Sequence, residues 1–177
     1  LREILPGGVA QAIRNGEVDA GPVPLVDAFQ LEDRCRPVAG FCLAATEKAR
    51  SVLLYSKLPV EDLNGIRIGL PGDADTPHRL LQVLLSLKYQ VQPEAYVVME
   101  EAFDAFLITD DQALRRRQGV RGYPYRYDLG EEWFRWTGLP FVFSRWVARN
   151  DLTPAEALLL EDTLYVGLEV GVEVLFH

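Results

Sequence analysis

Thr76-Pro77 is the pair best placed for chemistry in this chain of 177 residues, between the loop Pro71-Gly-Asp-Ala-Asp75 and an apolar-striped segment at 78–89. Residues 65–70, Gly-Ile-Arg-Ile-Gly-Leu, alternate as a strand does. Thr76 is placed to cap a helix over 78–89, with Pro77 at its first position, where a missing N–H costs nothing. Such a helix leaves the carboxyl end of a strand with backbone N–H groups at the positive end of its dipole. That arrangement suits a carboxylate or a phosphate. The alternative is that Thr76 caps its own helix and does nothing else.

Other chemistries find less support. Asp110-Asp111 suggests a metal, but acids before a helix with Arg115, Arg116 and Arg117 in its last turn complement the dipole without an ion. The two histidines, His78 and His177, stand in no Ser and carboxylate pattern that makes a triad. Cys35 and Cys42 lack zinc-site spacing and read as two reduced, buried or half-buried thiols of a cytosolic protein. A net charge of -8 argues against nucleic acid and against an anionic membrane surface. No uninterrupted apolar run of about 18 residues is present to span a bilayer. No signal-peptide pattern opens the chain. Leu1-Arg-Glu-Ile-Leu reads like the inside of an element, so the true start is expected upstream. The sequence around Met99-Glu-Glu-Ala and the tail from Glu169 are similarly abrupt. Nothing in the sequence sets an oligomeric state.

The elements that must hold Thr76 in place follow from pattern. A helix over 8–15 closed by Gly16 precedes a strand over 18–24 that ends in proline. Strand-length apolar runs occupy 38–45, 51–55, 95–99 and 105–109, and a Tyr-rich strand at 123–127, carrying Pro124, reads as a sheet edge. Glu131 and Glu132 open a helix that Gly138 stops, and 141–149 is the last strand. Thr153-Pro-Ala-Glu156 is a capping box opening a helix to about 168. Strands alternating with helices give an α/β fold with a mixed or mostly parallel sheet.

One block goes beyond such signals. Asp128-Leu-Gly-Glu-Glu-Trp133, followed by Thr137-Gly-Leu-Pro-Phe-Val-Phe143, resembles the menaquinone-pathway chorismate dehydratases. Gly16-Glu-Val-Asp-Ala20, Arg50-Ser-Val-Leu-Leu-Tyr-Ser56, Thr76 with Leu80-Leu81, and Asp104-Ala-Phe-Leu-Ile108 with Asp111 and Ala113-Leu114 carry it further. The resemblance implies a cytoplasmic enzyme on a two-lobe, periplasmic-binding-protein type II-like α/β fold with mixed sheets and an interlobe cleft. Residues 1–50 and 146–177 would form lobe I and 51–145 lobe II, with hinge strands near 51–56 and 141–147. The implied reaction removes water from chorismate, a dianion, with no metal or other cofactor.

By that resemblance Ser51 and Thr76 are the first candidates for carboxylate or hydroxyl contacts, followed by Ser56 and Asp75. Ser144 is a weaker candidate. Ser51 reads equally as a hydroxyl satisfied within its own strand, and Arg50 as either a carboxylate partner or a surface charge. Trp133 and Trp136 are expected to pack between lobes rather than stack on substrate. The family's Pro-Tyr-Leu-Asn motif, carried on a strand and loop, is absent, so no catalytic residue is assigned, and an N-terminal strand and helix of lobe I are expected to be missing. Two other readings remain: a 1,4-dihydroxy-6-naphthoate synthase-like enzyme of the same pathway, and a non-catalytic solute-binding protein. The effector half of a transcription regulator is a more distant one.

Overall fold

A computed structural model describes residues 1–72, 75–99 and 101–176, so Asp73 and Ala74 of the predicted loop, Glu100 of the abrupt 99–102 stretch, and His177 lie outside the described residues. The chain divides into two compact units, 1–43 with 144–177, and 44–143.

In the first unit, α1 (Val9–Arg14) leads into β1 (Ala20–Pro24), which pairs antiparallel with β8 (Phe141–Arg149) from Ala20 opposite Ala148 to Pro24 opposite Ser144. β2 (Cys35–Ala45) completes a sheet of order β1-β8-β2. A short helix, α2 (Leu25–Gln30), follows Pro24 without a side-chain cap. Val9, Ile13, Val23, Ala28, Leu31 and Val147 form this unit's core. The two division points of the chain fall inside β2 and β8. Residues 52–56, where a hinge strand was expected, belong to a second sheet.

That sheet belongs to the second unit and has the order β5-β4-β6-β3-β7. Its strands are β3 (Val52–Ser56), β4 (Arg67–Leu70), β5 (Ala95–Val98), β6 (Ala105–Thr109) and β7 (Tyr125–Asp128). β4 runs parallel to β5 and β6, whereas β3 runs antiparallel to β6 and β7. Every residue of β3 is buried, as a continuous apolar run in a covered strand requires. β7 is an edge strand, in keeping with Pro124 just ahead of it.

α3 (Asp75–Val83) leaves the carboxyl end of β4, buries Leu80 and Leu81, and continues into a π turn, Leu84–Lys88. Leu54, Ile68, Leu107 and Leu129 join them in the core. Burying each such side chain is worth about 1.5–3 kcal/mol.

The described helix begins at Asp75, so Thr76 lies inside the first turn and is not the predicted N-cap, nor is Pro77 its first residue. Asp75 is itself a good first-turn residue, and Pro77 remains among the early positions whose N–H has no intrahelical partner. α4 (Asp110–Arg116) carries its two aspartates in its first turn and Arg115 and Arg116 in its last.

α5 (Leu129–Thr137) is capped by Asp128 and ends at Gly138, whose φ of 72° is left-handed. α6 (Pro154–Phe176) is opened by the predicted capping box. Thr153 Oγ1 accepts from Glu156 N at 3.3 Å, and Glu156 Oε2 accepts from Thr153 N at 2.9 Å. Cys35 is buried and Cys42 exposed, unlinked, which corrects the expectation of two buried or half-buried thiols. Burial raises the Cys35 thiol, an inert setting. Among the described residues no helix is long and apolar enough to cross a membrane.

Candidate functional site

Strand direction decides which side chains of the second unit can act together. β4, β5, β6 and β7 end at the same edge of the sheet, where β3 begins. Ligands of open α/β sheets bind outside the carboxyl ends of strands. This edge carries Ser51, just before β3, and the start of α3 with Asp75 and Thr76. It also carries Asp110 at the end of β6 and Asp128 at the end of β7.

Ser51 is tied into the edge on both sides. Its carbonyl accepts from Asp110 N at 2.8 Å, and its half-buried hydroxyl donates to Ala49 O at 3.3 Å. A serine hydroxyl has one proton to give, so contact with a ligand oxygen exchanges that long bond for another. Thr76 is buried and Asp75 exposed.

Ser56 is elsewhere. It pairs with Ala105 and Tyr125 at the amino ends of β6 and β7, about 16 Å from Ser51 at 3.3 Å per residue. Fully buried there, its hydroxyl accepts from Leu58 N at 3.1 Å. The sequence grouped Ser51 with Ser56, and the structure puts them at opposite edges because a five-residue strand lies between them. Ser144 lies on β8 opposite Pro24.

The turn ahead of Ser51 is held by a carboxylate of this edge that accepts four backbone N–H groups. Asp128 Oδ1 accepts from Gly130 N at 2.9 Å and Glu131 N at 3.1 Å, capping α5. The same carboxylate reaches back across the chain to Ala49 N at 2.9 Å and Arg50 N at 2.6 Å. Arg50 sits at φ 61°, and Asp110 beside it at φ 53°, both costly for residues with a Cβ. Gly130 makes the approach possible, since a Cβ there would stand 2.7 Å from Ala49 N. The sequence shows the capping pattern of Asp128, but its grip on Ala49 and Arg50 has no local signal.

A sequence profile for a family described as Menaquinone biosynthesis matches residues 5–175. The chain belongs to this family. A chorismate dehydratase of Thermus thermophilus is 25% identical over 174 residues, covering 88% of this chain and 63% of the relative. The chain therefore spans a little under two thirds of that relative's length. A solved protein of Archaeoglobus fulgidus superposes with a TM-score of 0.59 at 18% identity, over 87% of this chain and 58% of its own. The periplasmic aliphatic sulphonate binding protein of Escherichia coli gives 0.50 at 17% identity, over 92% of this chain and 56% of its own. These structures establish the fold alone. It is α/β with two sheets, of the periplasmic-binding-protein kind.

The Asp128–Phe143 block also holds, among the described residues, the most buried charge of the second unit. Glu131 and Glu132 read from sequence as helix-start acids, yet Glu132 is only 6% exposed. Lys88 Nζ lies 2.5 Å from its Oε2, and the Tyr89 hydroxyl donates to the same oxygen. Burial, then the bond to Glu132, pushes the Tyr89 phenol far above its ordinary range, so it stays a donor. Trp133 stacks edge-on with Trp136 at 5.9 Å and Phe141 at 5.3 Å, all within the second unit. Those contacts pack the aromatic rings of the family-resembling block against one another.

The first unit has a hollow of about 410 Å³ lined by Arg14, Asn15, Arg34, Arg149 and Asp151, among others. It lies by the amino end of β1, away from the strand's carboxyl end, and two of its arginines, Arg14 and Arg149, are already paired. Arg149 bonds Asp151 at 2.9 Å and Arg14 bonds Gln30 at 2.9 Å.

His78 packs its ring 4.8 Å from Tyr96, with Nε2 buried and unbonded among the described residues. Burial, then Arg79, lowers its pKa from 6.5. The unfolded chain takes that proton at about pH 6.5, the folded one only at lower pH. Stability is therefore complete above that value and declines as pH falls toward the folded pKa. His78→Phe keeps a ring against Tyr96 and removes the titration. Its melting temperature is expected to drop less than the wild type's between about pH 7 and about pH 5.5. Equal drops would contradict this.

Proposed function

We propose that the complete protein is a cytoplasmic chorismate dehydratase, a hydro-lyase that converts chorismate to 3-[(1-carboxyvinyl)oxy]benzoate. The observation that carries this reading is the family match together with the chorismate dehydratase relative. The edge holding Ser51, Asp75 and Thr76 agrees with it, because the ligand is a small dianion.

In the reaction a ring C–H proton and the neighbouring hydroxyl leave as water. The electron pair of the C–H bond completes the aromatic ring, so nothing is oxidised and no co-reactant is needed. The protein's part is to hold the two carboxylates, orient the proton that leaves and stabilise charge on the departing oxygen. The first turn of α3 supplies backbone N–H groups and a dipole for one carboxylate. Ser51 and Thr76 supply hydroxyls, and Asp75, as an acceptor, suits a ligand hydroxyl and not a carboxylate.

Full-length protein is expected to convert chorismate to the aromatic ether, followed by ultraviolet absorbance, without added metal or nucleotide. Chorismate left untouched while futalosine-derived compounds react would assign the later enzyme of the pathway instead. Thr76→Val keeps the side-chain volume and removes the hydroxyl. It is expected to raise KM about tenfold, equivalent to about 1.4 kcal/mol. Loss of a buried hydroxyl should lower the melting temperature by only about 4–8 °C per kcal/mol in the affected unit. An unchanged KM in a less stable protein would leave Thr76 with a packing role alone.

A further inference from the structure

Asp128 is placed to do more than cap a helix. Serine or asparagine caps as well as aspartate, yet neither has two oxygens able to take N–H donors on both sides. Here one carboxylate accepts from Gly130 and Glu131 of α5 and from Ala49 and Arg50, 79 and 78 residues earlier. The turn so gripped contains Arg50 in a left-handed conformation and delivers Ser51 to the edge of the sheet. Arg50 is exposed, and among the described residues no carboxylate pairs with its guanidinium. The turn costs energy to hold. A strained residue persists only where its surroundings over-determine it, and Asp128 supplies that constraint.

We propose that Asp128 is a positioning residue for substrate, acting through the Arg50-Ser51 turn: it locks the turn so that the guanidinium and the serine hydroxyl meet one carboxylate of the ligand together. This rests on the chorismate reading and adds a residue and a specificity element to it. A planar guanidinium binds a carboxylate in two parallel bonds only when its direction is fixed. Without the Asp128 grip Arg50 relaxes to an ordinary φ, turning its side chain away.

The test uses full-length protein with Asp128→Ser, which keeps an N-cap but cannot span to Ala49 and Arg50, with Asp128→Asn as the conservative variant, and with Arg50→Ala alone and combined with Asp128→Ser. Asp128→Ser is expected to raise KM for chorismate about tenfold with kcat within about threefold, and Asp128→Asn to recover part of that loss. Arg50→Ala is expected to cost about tenfold in KM alone, but no more than about twofold on top of Asp128→Ser, because the two act as one unit.

Amide exchange supplies a readout independent of substrate. Ala49 and Arg50 should exchange faster in Asp128→Ser while Glu131 stays protected. Additive losses in KM, an unchanged KM, or unchanged exchange at Ala49 and Arg50 would overturn the proposal. A wild-type protein inert toward chorismate, with exchange behaving as expected, would overturn the activity while leaving the Asp128 grip in place.

Discussion

Replacing Glu132 by alanine is expected to cost about 3–5 kcal/mol of folding stability, the range for removing one partner of a buried ion pair. Lys88 would lose the carboxylate 2.5 Å from its Nζ and keep the carbonyl of residue 132 at 2.9 Å and the Tyr89 ring at 4.8 Å. Tyr89 would lose the acceptor of its hydroxyl at a half-buried position. The π turn that ends at Lys88 and the start of α5 are joined through this group, so the loss spreads over two elements. Glu132→Gln keeps the bond from Tyr89 and should cost less. Changing Lys88 to methionine together with Glu132 to leucine should recover most of the loss, since an apolar pair escapes the desolvation that a lone charge incurs. Denaturant unfolding of the full-length protein checks all three. A loss below about 1 kcal/mol for Glu132→Ala would show that the pair is solvated.

Gly130→Ala carries two opposed effects whose sizes decide its sign. Alanine in a helix is better than glycine by about 0.5–1 kcal/mol. Against that, the new Cβ would lie 2.7 Å from Ala49 N and 3.0 Å from Ala49 Cβ, contacts with backbone that no rotamer relieves. Overpacking of this kind costs about 1–3 kcal/mol, and the forced shift strains both bonds from the 49–50 turn to Asp128. The clash wins. A net loss of about 1–2 kcal/mol is expected, together with a KM for chorismate raised at least as much as in Asp128→Ser. A more stable Gly130→Ala with unchanged kinetics would mean that the 49–51 turn gives way freely and positions nothing.

Much of this was legible from local signals. β6 matches its expected span, Ala105–Thr109, because a buried five-residue apolar run admits little else. Thr153 with Glu156, and Gly138 after α5, are caps whose chemistry is written within four residues. The start of α3 was misplaced because Asp75 and Thr76 are both plausible first-turn residues and propensity does not separate them. α2 was missed because six residues after a proline, with no capping side chain, give too short a period to read. α6 runs to Phe176, past Gly167 and Gly171, so glycine was a weaker stop than the apolar residues around it implied.

At the site, Thr76 was a candidate through the strand and helix order around it, and Ser51 through the family resemblance. The separation of Ser56 needed the pairing register. The roles of Asp128 and Glu132 depend on partners 79 and 44 residues away, which no window of sequence contains.

The account turns on which edge of the second unit's sheet receives the dianion. Backbone amide shifts of full-length protein, titrated with 3-[(1-carboxyvinyl)oxy]benzoate, measure this directly. Amides of Ala49, Arg50, Ser51 and Thr76 are predicted to move together and saturate together, while those of Ser56, Lys57 and Leu58 stay in place. Shifts centred on 56–58, or none at 49–51 at saturating ligand, would contradict it.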